Sequence, residues 1–109
     1  MSGAPESTRY LGPVNRFFDD LGARFAGAAS RRGVQIEAPG LEPAVADELL
    51  DLARVAAHTA ERRFAPLATF MAGVAVERLR QAGGTASPEA VAELLREVRS
   101  ELEAAAPGG

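Results

Sequence analysis

The chain has 109 residues, 47% hydrophobic and 25% charged, which fits one globular domain with a core of its own. It has no cysteine, which excludes disulfide scaffolds, thiol catalysis and cysteine-based zinc sites together. A net charge of -3 argues against a dedicated nucleic-acid binder, although every basic side chain except His58 is Arg, suited to forked pairing with carboxylate or phosphate.

Residues 1–12 are rich in Ser, Gly and Pro and read as a flexible tail without the apolar stretch of an export signal. No apolar run is long enough to span a bilayer, so a soluble, cytoplasmic protein is expected. A single helical domain is expected over 13–106, with a frayed tail at 107–109. Pro13 opens the first helix. Val14, Phe17, Phe18, Leu21, Phe25 and Ala28 recur at three and four, predicting an aromatic stripe buried in the bundle. Gly22 and Gly27 weaken this helix, and Gly33 suits the position just after its end. Val34 to Gly40 alternates like a strand but has no partner strand, so an extended connector is predicted.

The second helix is expected from Pro43 to Arg62 or Arg63, with Val45, Leu49, Leu52, Ala53, Ala56 and Ala60 as its buried stripe. Phe64 and Ala65 are expected to form a corner, because a residue before proline avoids the helical region. Pro66 then suits the first position of a third helix. Leu67, Phe70, Met71, Val74, Ala75 and Leu79 cover one broad side of it, and Ala72 and Val76 much of the rest. Such a helix is expected in the middle of a bundle. It stops at Gly83-Gly84. Ser87 is the predicted N-cap of a fourth helix, with Pro88 and Glu89 in its first turn. Val91, Leu94, Leu95, Val98 and Leu102 form its apolar face, opposite Glu93, Arg96, Glu97, Arg99, Glu101 and Glu103. The predicted fold is all-α, a four-helix antiparallel bundle.

His58 is the only histidine. With Arg62 four residues later, it predicts a polar corner beside the start of the third helix, where unpaired N–H groups favour anions. Asp51 and Arg54 lie within the two turns before it on the same face, at a spacing that permits surface ion pairing; Arg63, Pro66 and Thr69 complete the candidate site. Such a corner can bind a carboxylate, a phosphate or an acidic partner surface, or can simply tie two helices together. No catalytic residue, metal site or cofactor is assigned. Ser87 has a capping role, Thr69 lacks an evident base, and no HExxH motif or Gly-rich phosphate loop occurs. Arg31-Arg32, Arg62-Arg63 and Arg78 with Arg80 are accompanied by glutamates and read as solvated faces rather than a nucleic-acid surface.

The stretch LLDLARVAAHTAERRFAPLATFMAGVA, Leu49 to Ala75, resembles a family of small helical domains of unknown function found mainly in high-GC Gram-positive bacteria. Its members show L-D-L-A-R-x-V/A-A-H, then an Arg, then A-P-L-x-T-F-L-x-G. Leu50, Asp51, Leu52, Ala53, Arg54, Ala57, His58, Arg62, Ala65, Pro66, Leu67, Thr69, Phe70 and Gly73 match. Arg63 stands where many members have Pro, and Met71 replaces the usual Leu. The resemblance implies a non-enzymatic accessory or interaction module connected with molybdenum-cofactor metabolism, since similar domains occur fused to a molybdenum-cofactor guanylyltransferase. The implied partner is that enzyme. The alternatives are a small-molecule or anion-binding protein using His58 and Arg62, and a dimeric nucleic-acid-binding regulator. The apolar stripe of the fourth helix could serve as a homodimer seam.

Overall fold

The computed structural model describes residues 15–105. The tails expected at 1–12 and 107–109, and Pro13 and Val14, lie outside the described residues. Four helices and no strand occur among those described: α1 (Asn15–Arg31), α2 (Pro43–Thr59), α3 (Phe64–Gln81) and α4 (Pro88–Ala105). The all-α class read from the periodicity is therefore correct. The chain divides into two units, through Pro43 and from Ala44 onward.

In the first unit, α1 ends as its composition dictates. Gly33 takes φ 79°. Its N–H bonds the Ser30 carbonyl and that of Val34 bonds Ala29, a Schellman closure that satisfies the last carbonyls of the helix. Residues 34–40 follow without helix or strand, as the connector between α1 and α2. This connector returns across α1 at Gly22, where a Cβ would collide with the Pro39 carbonyl oxygen. Gly22 is therefore a crossing point, and its helix-weakening effect is the consequence of that approach. The aromatic burial expected for α1 is not found. Phe17 and Phe25 are exposed, and Phe18 is half-buried with its ring edge-on to Phe17 at 5.1 Å.

The second unit holds the core. Leu52 of α2 packs with Val91 and Leu95 of α4, flanked by Val45, Leu49, Ala72, Val76, Ala86 and Leu102. Val55, only 2% exposed, is the most deeply buried large side chain. Glu48 pairs with Arg96 at 3.1 Å and, further along both helices, Arg54 reaches Glu103 at 3.8 Å. The two helices therefore run parallel, and the short connectors on either side of α3 turn it antiparallel to both.

Four further expectations are corrected. The second helix stops at Thr59, whose hydroxyl donates to the Val55 carbonyl at 2.8 Å, rather than at Arg62 or Arg63. Phe64 and Ala65 are helical, their N–H groups bonding the carbonyls of Glu61 and Arg62, so Pro66 sits in the third position of α3. Proline is tolerated throughout a first turn, because those N–H groups have no acceptor inside the helix. The third correction is the largest. The helix expected at the centre has no buried residue, and contributes only Ala72 and Val76 to the core packing. Within a three-helix unit, α3 has neighbours on one side, and apolar residues on its remaining surface face water. The α2 stripe is also shifted: Ala60 is exposed, while Val55 and Ala46 are buried.

Candidate functional site

The polar corner is built by two helix ends and a short link. His58 stands on the last turn of α2, and Arg62 and Arg63 on the link that follows. Because α2 ends at Thr59, the four-residue spacing between His58 and Arg62 does not place them on one helical face. Both are exposed, and neither side chain makes a hydrogen bond or ion pair among the described residues. Arg63 is engaged locally, its Nε 2.7 Å from Glu61 Oε1 and its guanidinium 6.0 Å from the Phe64 ring centre. It occupies the N-cap of α3 and supplies no side-chain cap. The Thr69 hydroxyl donates to the Pro66 carbonyl at 2.8 Å, a bond internal to the first turns of α3.

Asp51 and Arg54 stand on the same helix as His58, and their charges are engaged with other partners. Arg54 lies 3.6 Å from Asp51, the ion pair expected from their spacing, and 3.8 Å from Glu103 of α4. This contact joins a charged seam between α2 and α4 that the sequence pattern did not reveal. At its centre is Glu48, whose side chain is 13% exposed and is approached by Arg96 and Arg99. Arg99 also holds Glu103 at 3.0 Å. Glu48 Oε1 and Arg99 Nε, 3.8 Å apart, are buried without a hydrogen-bond partner, as is Asp47 Oδ1. The periodicity assigned Arg96, Arg99 and Glu103 to the outside. They lie instead along the edge of the apolar stripe that faces α2.

Elsewhere the charges are local. The Arg80 guanidinium hydrogen-bonds the Glu77 carboxylate and holds it below the usual glutamate range, outweighing slight desolvation. Among the described residues, no three His, Cys, Asp or Glu side chains converge as a metal site would require.

The more distinctive surface is apolar. Leu67, Phe70 and Met71 on α3 are 60%, 73% and 71% exposed. Beside them a groove of about 440 Å³ runs between α3 and α4 over the edge of α2. Its floor is Leu52 and Leu95, its α3 wall is Ala68, Met71, Ala72 and Ala75, and its α4 wall is Leu94, Val98 and Leu102. The alanines make the groove wide, since helices meeting through small residues leave room that no side chain of the unit fills. The α4 stripe was legible in the sequence. Its open edge was not, because the same stripe serves the core and the groove.

No helix among the described residues is long and apolar enough to cross a membrane. No curated protein and no solved structure matches the chain. A family model does, over residues 14–108, and its description is a domain of unknown function. That span takes in α1 to α4 entire, the corner and the groove alike. The chain thus belongs to the family of domains of unknown function designated DUF6457, in agreement with the expectation of a small domain family of unknown function.

Proposed function

We infer that this domain is a non-enzymatic helical accessory module, cytoplasmic, that works by binding another protein. One observation carries the reading: α3 turns Leu67, Phe70 and Met71 to solvent beside an apolar groove. Contiguous exposed apolar surface of this kind is the usual mark of an interaction site, whereas single exposed apolar residues are ordinary. The chemistry-bearing residues support the same reading. His58 has no orienting partner among the described residues, and the hydroxyls nearest it in sequence, Thr59 and Thr69, both donate to backbone carbonyls. The partner to test first is a molybdenum-cofactor guanylyltransferase, which the motif from Leu49 to Ala75 suggests by analogy.

The experiment is calorimetric titration of the purified domain into such an enzyme, with a native-lysate pull-down beside it. Saturable binding that Phe70→Ser weakens at least tenfold is expected. Absence of binding to the enzyme would remove the molybdenum-cofactor connection, and capture of nothing from lysate would remove the module reading.

A second reading is favoured by the unengaged His58 and Arg62 beside an α3 N-terminus that has no side-chain cap. An exposed guanidinium with an exposed imidazole four residues before it suits an oxyanion. Inorganic phosphate should then shift the His58 ring resonances in a saturable way that Arg62→Ala abolishes. Resonances that stay put at millimolar phosphate would retire it.

A further inference from the structure

We propose that the charged seam between α2 and α4 is a register lock: Glu48, Arg54, Arg99 and Glu103, rather than the apolar stripe, decide how far along α2 the α4 helix sits. All four belong to the unit from Ala44 onward, and the lock is independent of what occupies the groove.

Glu48 and Arg99 are a poor choice for stability alone. Their side chains are 13% and 18% exposed, and Glu48 Oε1 and Arg99 Nε lie 3.8 Å apart, buried and without a hydrogen-bond partner. Taking two charges out of water costs about as much as such an imperfect pair returns, so apolar side chains of similar volume would serve the packing as well. What charges add is the power to distinguish one helix alignment from the next.

The apolar stripe of α4 cannot make that distinction. Sliding α4 forward by four residues carries Val91 to the site of Leu95, Leu94 to that of Val98 and Val98 to that of Leu102. Each of these sites still receives an aliphatic side chain. The helix turns by only about 40° in the slide and advances about 6 Å. The connector over 82–87 spans up to roughly 20 Å when extended, so it does not prevent the movement.

The charges do prevent it. Arg99 would arrive at the site of Glu103, against Arg54, and Ala92 and Leu95 would replace the two arginines beside Glu48. A slide of three residues in the other sense also keeps the stripe apolar, with Leu94 at the site of Val91 and Val98 at that of Leu95. It puts Leu102 where Arg99 stands and removes Glu103 from Arg54. Of the three alignments, the observed one alone gives Glu48 two arginines, at 3.1 and 3.8 Å, and Arg54 a glutamate on α4. The lock thereby also places Leu94, Val98 and Leu102 of the groove wall, which ride on the same helix.

The test reads the alignment as a distance. The chain has no cysteine, so Ala44→Cys and Ser100→Cys, both at exposed positions, carry nitroxide labels at two sites alone. Pulsed electron–electron resonance on the full chain should show a single population while the seam is intact. Glu48→Leu with Arg99→Leu should stay helical by circular dichroism and show a second population, because the stripe then accepts more than one alignment. Glu48→Leu with Arg54→Glu should shift the distance outright. In the forward slide the introduced leucine meets Ala92 and Leu95, and the introduced glutamate meets Arg99. That distance lengthens by up to the about 6 Å that four residues rise, since Ser100 moves away from Ala44. The original distance, single and unshifted, in either folded variant overturns the lock. Loss of the helical signal in both also overturns it, because the seam would then be required for folding rather than for alignment.

Discussion

Leu95 and Val74 are both apolar residues on amphipathic helices, and sequence periodicity ranks them alike. Their surroundings differ. Leu95 is 3% exposed at the centre of the α2/α4 packing, whereas Val74 is half-buried on the outer side of α3. An aspartate in place of Leu95 would put an unpaired charge into the core, a loss of about 4 kcal/mol or more. At Val74 the carboxylate can turn to water, and the loss should stay near ~1 kcal/mol. Urea denaturation of the two variants at micromolar protein checks this. Equal losses would mean that the outer side of α3 is covered within one chain. Central position was inferred from how much of α3 is apolar. That quantity does not distinguish a surface facing a neighbouring helix from one left open.

At the scale of the element, chain punctuation was the most legible feature. Ser87 accepts the Ala90 N–H at 3.2 Å, with Pro88 following at the first helical position. Gly83 takes φ 92° after α3, and its N–H and that of Gly84 bond the Arg80 and Leu79 carbonyls, the same closure that ends α1. These devices use bonds within a few residues, so sequence specifies them almost completely. Ser87→Ala should lower stability by about 1 kcal/mol through the lost cap. Gly83→Ala should lower it by a similar ~1 kcal/mol through the left-handed backbone. Thermal melts of each variant measure both effects, and an unchanged Ser87→Ala would show that its hydroxyl is not the effective cap. The break between α2 and α3 was harder to place. Pro66 has no N–H but fits anywhere in a first turn, so composition allowed either start, and Phe64 and Ala65 joined the helix.

For the molecule as a whole, the decisive feature is that the unit from Ala44 onward assembles its core from its own residues. Leu52, Val91 and Leu95, with the residues flanking them, all lie within it. A chain of residues 42–109 should therefore keep α2, α3 and α4 and unfold in one cooperative transition. A broad, non-cooperative melt would show that residues before 42 are part of its core. The charged seam from Glu48 to Glu103 would stay intact in this fragment, since every member belongs to it.

The sequence by itself determined the all-α class, the presence of four helices, the glycine closures of α1 and α3, the Ser87 cap and the apolar face of α4, because each depends on periodicity or on bonds between near neighbours. Only the tertiary structure decided which helix is enclosed. It moved the core to α2 and α4, paired Arg54 with Glu103 of α4 as well as with Asp51, and left the α3 ridge and its groove open. Burial depends on what stands opposite a face, and the residues that stand opposite are distant in the chain. Alanines at positions 68, 72 and 75 could have brought two helices close or left a groove between them. The packing of α3 beside α4 settled it in favour of the groove.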